Sequence, residues 1–111
     1  MAYTIIMIPS PHNYNLPRIK GEVVYLVQNP KTAYRTIKDE SVIVDLNNSL
    51  LYSLNPVASI IWEMSNGKTE IKQIIDRVKN EFDIERSVAE GDCMEFADDF
   101  IQKGLLIILE Q

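Results

Sequence analysis

Apolar residues alternate with polar ones through much of the first half of the chain. In the second half they recur every three to four residues, and the period changes at Asn55-Pro56. Upstream of that point, Tyr34 to Lys38 reads as a strand with Asp39-Glu40-Ser41 as its turn. Val42, Val44 and Leu46 alternate with Ile43 and Asp45, which predicts a strand with one buried face. Asn47-Asn48 supplies turn chemistry, because asparagine tolerates positive φ in tight hairpins. Leu50 to Leu54 then returns antiparallel, completing a three-strand meander. Nearer the start, β-branched and aromatic Val23-Val24-Tyr25-Leu26-Val27 predicts a strand that Asn29-Pro30 ends. Tyr3 to Ile8 reads as a short strand, and Pro9, Pro11, Asn13, Asn15 and Pro17 as a loop that carries His12.

Downstream, Asn55 is suited to cap a helix and Pro56 to occupy its first position, where a missing N–H costs nothing. Val57, Ile60, Ile61 and Met64 recur at helical spacing, with Ala58 and Trp62 widening the stripe. Ser65-Asn66-Gly67 reads as a turn and Thr69 as the next cap. Ile71, Ile74, Ile75, Val78 and Phe82 then make the cleanest apolar stripe in the chain. A third helix is predicted from about Glu85 to Lys103, with Gly104 just past its end and Ala89, Cys93, Phe96, Ala97 and Phe100 facing the core. Leu105 to Leu109 forms a last short strand or a docked apolar tail. These parts predict one α+β domain, a winged helix-turn-helix with an N-terminal antiparallel β-meander and three C-terminal helices.

Composition narrows the functions. The chain has 111 residues, a hydrophobic share of 46% and a net charge of −5. That charge argues against non-specific attraction to nucleic acid or anionic membranes. The apolar start lacks a positive flank and runs into Pro9-Ser10-Pro11, so it does not read as a signal peptide, and no run reaches membrane-spanning length. A cytoplasmic protein is expected. One histidine and one cysteine are too few for a metal site. Cys93 on an apolar stripe reads as a buried structural thiol. Asp98-Asp99 with Glu95 reads as a solvated helix face, since neighbours on a helix point apart. The four glycines are scattered and make no phosphate loop. No catalytic residue, metal or cofactor is expected.

Helix-turn-helix architecture suggests DNA, yet the third helix carries Glu85, Glu90, Asp92, Glu95, Asp98 and Asp99 against only Arg86 and Lys103. That face repels phosphates, which points to a protein or peptide partner. Two surfaces suit one. The strand Leu50-Leu51-Tyr52-Ser53-Leu54 is apolar on both sides of its alternation, and a sheet edge offers main-chain donors and acceptors to an incoming strand. Met94 and Ile101 form a shoulder beside the core stripe of the third helix, with Ala97 between them. Core packing alone accounts for that shoulder equally well.

The run Val42-Ile43-Val44-Asp45-Leu46, then Leu54-Asn55-Pro56-Val57-Ala58, Ile61-Trp62-Glu63, Asn66-Gly67-Lys68-Thr69, Ile74-Ile75, Glu81-Phe82-Asp83 and Phe96 to Gly104-Leu105-Leu106 resembles the PqqD family. These are small proteins of pyrroloquinoline quinone biosynthesis and their relatives, recognition elements for ribosomally made, post-translationally modified peptides. The resemblance covers roughly residues 34–108. It implies a non-catalytic peptide chaperone that binds the leader of a precursor peptide as a strand added to Leu50–Leu54. The leader's apolar side chains would reach a groove that includes Met94, Ala97 and Ile101. The modifying enzyme in the namesake pathway is a radical S-adenosylmethionine protein. The hairpin turn Asn47-Asn48-Ser49 departs from the family, which often has glycine there. The expected division is an N-terminal extension, 1–33, partly extended, and a PqqD-like peptide-binding domain, 34–111. The extension has no matched counterpart; covering the sheet, homodimerisation and swapping with a neighbour are its open roles. The runner-up reading is a winged-helix transcriptional regulator.

The acidic third helix generates a prediction. Duplex DNA is expected to bind only at weak background level at physiological salt. A fluorescence-anisotropy titration that gave sequence-specific binding tighter than about 10⁻⁸ M would put the regulator ahead.

Overall fold

A computed structural model of the protein describes residues 2–5 and 24–110. Ten elements follow in order: β1 (Ala2–Ile5), β2 (Val24–Gln28), β3 (Thr32–Ile37), β4 (Glu40–Asp45), β5 (Leu50–Leu54), α1 (Pro56–Met64), β6 (Asn66–Glu70), α2 (Ile71–Phe82), α3 (Arg86–Gln102) and β7 (Leu106–Glu110). They make two sheets, ordered β1-β5-β4-β3 and β6-β2-β7. The first contains the expected meander, antiparallel through β3, β4 and β5. Helix α1 packs on β4 and β5, α2 on β2 and β6, and α3 on β7 and both other helices. The loop expected from Pro9 to Pro17, His12 with it, lies outside the described residues.

Local chemistry sets the junction between the meander and the helices. Asn55 Oδ1 accepts from Ala58 N at 2.8 Å, and Pro56 takes the first helical position, as the sequence predicts. Such a cap contributes about 1 kcal/mol. Ser59, buried one turn in, donates to Leu54 O and accepts from Ser41 N at 2.8 Å. These bonds tie the end of β5, the start of α1 and the neighbouring strand together without leaving a buried hydroxyl unpaired.

Four expectations need correction. On β4 the buried residues are Ser41, Ile43 and Asp45, while Val42 and Val44 are half-buried and Leu46 is exposed. The small polar side chains are buried with partners: the Thr36 hydroxyl for that of Ser41, the following turn for Asp45. The β3–β4 turn is Lys38-Asp39, with Lys38 at φ 58°, and Glu40 and Ser41 belong to the strand. Next, Asn66-Gly67 begins strand β6 rather than a turn, because β2 is available to pair with it, Tyr25 opposite Glu70 and Val27 opposite Asn66. Gly67 lies at φ 77°, a backbone state that favours glycine, and a side chain there would meet Val27. Finally, Thr69 lies in that strand, so α2 is capped by Glu70, whose side chain and that of Gln73 form a reciprocal capping box.

The remaining helix expectations hold. Ile71, Ile74, Ile75 and Val78 of α2 are buried, as are Ala89, Cys93, Phe96, Ala97 and Phe100 of α3. Gly104 takes φ 76° past the end of α3, and the chain turns directly into β7. Asn29 fastens this corner to the end of β2. Its N–H donates to Leu105 O, its Nδ2 to Gly104 O, and its Oδ1 accepts from Lys31 N.

Trp62 is fully buried, with its ring edge-to-face against Tyr34 at 5.8 Å and Phe100 at 6.0 Å. Among the described residues its Nε1 has no hydrogen-bond partner. A buried unpaired donor costs about 1–3 kcal/mol, so the residue is retained for its volume. Trp62→Ala is expected to destabilise by about 3–5 kcal/mol. Trp62→Phe is expected to cost under about 1 kcal/mol, because losing the orphan N–H offsets the smaller ring. Urea denaturation of both variants reads this; equal losses would mean that the indole N–H does stabilising work.

Candidate functional site

The strand expected to pair with a peptide, β5, is held at both ends. At its start, Asp45 organises the turn: its carboxylate accepts from Asn47 N at 3.0 Å, Asn48 N at 3.2 Å and Asn48 Nδ2 at 2.9 Å. The positive φ of this turn falls on Ser49, at 54°, not on either asparagine. The asparagine side chain is used instead as a donor to Asp45. These bonds hold the Asp45 carboxyl below its ordinary range, the Asn48 side chain first among them. Register then runs from Asp45 opposite Leu50 to Ser41 opposite Leu54. At its end, β5 passes straight into the Asn55 cap.

Strand periodicity divides the five β5 residues. Tyr52 and Leu54 are buried in the core, Leu51 and Ser53 are half-buried, and Leu50 is exposed. The Tyr52 ring meets Phe100 of α3 at 5.8 Å, which sets β5 against the C-terminal part of that helix. Of the helix residues expected at the groove, Ala97 is fully buried, while Met94 and Ile101 are half-buried and pack against the core. Positions 94, 97 and 101 lie on one stripe of the helix, since spacings of three and four bring side chains together. The structure therefore joins Tyr52 to α3 through Phe100, gives Tyr52, Leu54 and Ala97 to the core, and leaves Leu50, Leu51, Ser53, Met94 and Ile101 with partial solvent access.

The edge of β5 is where sequence reasoning missed a participant. Strand β1 pairs with it in parallel, Ala2 opposite Leu51, Tyr3 opposite Tyr52, Thr4 opposite Ser53 and Ile5 opposite Leu54. The edge expected to be free is thus occupied by the chain's own N-terminal strand. Tyr3 to Ile8 does read as a strand, but nothing local to it names a partner almost fifty residues away. Among the described residues the other edge of that sheet is β3, where Tyr34 and Ile37 are exposed.

Other features carry little chemistry. Cys93 is buried, and burial, then Asp92 and Glu90, pushes its thiol up to about 12, so it stays protonated at neutral pH. Burial likewise raises the Asp92 carboxyl. The acidic residues of α2 and α3 include surface pairs, Asp76 with Arg86 and Asp99 with Lys103, of the kind that contributes little. Among the described residues no group of three or more histidine, cysteine, aspartate or glutamate side chains could hold a metal ion. No described helix is long and apolar enough to cross a membrane. A hollow of about 180 Å³, lined by Thr36, Lys38, Pro56, Ile60, Glu63 and Phe82 among others, shares no residue with the β5–α3 region. It is smaller than the pockets that enclose drug-sized ligands.

Comparison with known proteins bears on this arrangement. Residues 40–106 match the family model of coenzyme PQQ synthesis protein D (PqqD), which spans β4 to the start of β7. The fold is similar to that of TbiB1 in complex with the TbiA(beta) leader peptide, with a TM-score of 0.67 and 25% sequence identity. The similarity covers 72% of this chain and 93% of that one. No curated protein sequence matches significantly.

The Asp45 turn generates a pH prediction. A carboxyl whose folded pKa is depressed stabilises the fold above its unfolded value, near the ordinary 3.8, and that contribution is lost as pH falls through the lower folded value. Asp45→Asn is therefore expected to be less stable than wild type at pH 7, with the gap closing as pH drops below about 3.8. Denaturation midpoints across pH 2–7 check it; a gap independent of pH would remove the charge from the account.

Proposed function

The chain belongs to the PqqD family, and from that premise we propose that it is a non-catalytic chaperone for a ribosomally made precursor peptide. It binds the leader segment and presents the peptide to a modifying enzyme, for which a radical S-adenosylmethionine protein is the proposed partner. The leader adds as an extended strand at Leu50–Leu54, and its apolar side chains lie against Met94 and Ile101. The observation that carries this reading is the Tyr52–Phe100 contact, which joins β5 to α3, the helix that bears Met94, Ala97 and Ile101. Main-chain pairing supplies affinity that tolerates sequence, and the stripe supplies selection among peptides. The structural likeness to a protein solved with a leader peptide supports it. The acidic α3 disfavours the regulator reading.

The test is a titration of a labelled candidate leader peptide. Wild type is expected to bind it. Met94→Ser with Ile101→Ser is expected to keep the near-ultraviolet signature of Trp62 and to bind about tenfold or more weakly, as loss of apolar contact worth about 1.4 kcal/mol would give. A folded double variant with wild-type affinity would remove the α3 stripe from the mechanism.

A further inference from the structure

We infer that β1 is an internal occupant of the peptide-binding edge, and that a peptide must displace it to bind. The inference rests on the proposed strand addition at β5 and adds its regulation. Residues 2–5 hold the outer edge of β5 in register from Leu51 to Leu54, four of the five residues that strand addition would use. A sheet edge accepts one neighbour, because each main-chain N–H and C=O on that side points at a single adjacent strand. Leader and β1 are therefore mutually exclusive.

The pairing is built to yield. It is only four residues long and parallel, and parallel ladders are slightly weaker per residue than antiparallel ones. A peptide entering antiparallel and extending past Leu51 toward Leu50 gains both in geometry and in length. Meanwhile β1 stays covalently attached through residues 6–23, so it re-pairs as an intramolecular competitor at high effective concentration. While β1 is paired, the β5 edge is closed to other chains and the outer edge of the sheet is that of the four-residue β1. Only a segment that outcompetes β1 opens the β5 edge, which raises the threshold for accepting a peptide. Apparent affinity falls by the fraction of molecules whose edge is free, so an edge that is about nine-tenths covered weakens binding about tenfold.

The experiment compares the full chain with its Tyr3→Pro, Thr4→Pro double variant. Two consecutive prolines remove donors from β1 whichever of them faces β5, and leave residues 24–110 unaltered. The first probe is a fluorescein-labelled synthetic peptide with the sequence of residues 1–8. The variant is expected to bind it about tenfold or more tightly than the full chain. Amide exchange at those of residues 51–54 whose N–H faces β1 rather than β4 is expected to be slow in the free full chain, fast in the free variant, and slow again in the variant with peptide. Equal affinities, or β1-facing β5 amides that exchange alike in the two free proteins, overturn the proposal. If slow exchange in α1–α3 shows that the proline variant has lost its fold, Tyr3→Gly with Thr4→Gly takes its place. The candidate leader peptide is the second probe. A leader bound at least about tenfold more tightly by the variant supports the proposal. One bound equally by both overturns it and leaves strand addition standing. A leader bound by neither, while the residue 1–8 peptide keeps its difference, leaves the occupied edge standing and overturns the proposed function.

Discussion

The edge-to-face contact of Trp62 with Phe100, ring centres 6.0 Å apart, joins α1 to α3 at the centre of the molecule. From it the aromatic packing runs outward in three directions. Tyr34 of β3 meets Trp62, Tyr52 of β5 meets Phe100, and Phe96 stacks on Phe100 at 4.2 Å. Each such pair adds about 0.5–1.5 kcal/mol beyond burial, and together they fix where the meander stands relative to the helices. The meander's strands are short, and short strands depend on a face packed against something else. Without the Trp62–Phe100 anchor, β5 would have neither a fixed distance nor a fixed angle to α3.

That anchor also decides what β5 is free to do. Its inward residues, Tyr52 and Leu54, are committed to the core, while Leu51 and Ser53 are half-buried and Leu50 is exposed. Its main chain is paired on both sides, with β4 along its whole length and with β1 from Leu51 to Leu54. This pairing explains why the turn before β5 is so heavily bonded: Asp45 holds the register on which every main-chain partner in the strand depends.

The second sheet gives the helices their other wall. Val24 and Leu26 of β2 and Leu106 of β7 share the core with α2 and α3. Gln28 reaches back to Trp62 O with its side chain and to Ser65 O with its N–H, so β2 also braces the end of α1. Strand β2 thus contributes to the same core as the residues that match the family.

Features set by contacts within a few residues were legible in the sequence: the Asn55-Pro56 start of α1, the stripes of α2 and α3, the Gly104 stop, the β3–β4–β5 meander and the burial of Cys93. Each follows from a cap, a period or a turn residue that acts locally. Met94 and Ile101 were legible as a shoulder, but their half-burial against the core was not, because a helix stripe shows direction and not what lies opposite. What depended on distant partners came only from the tertiary structure. Asn66–Glu70 becomes a strand because β2 is there to pair with it. Strand β4 turns Ser41 and Asp45 inward, where Thr36 and the Asn47-Asn48 turn satisfy their side chains. Strand β1 pairs with β5 in parallel across a long connection, with no tight turn whose residues would mark the pairing in the sequence.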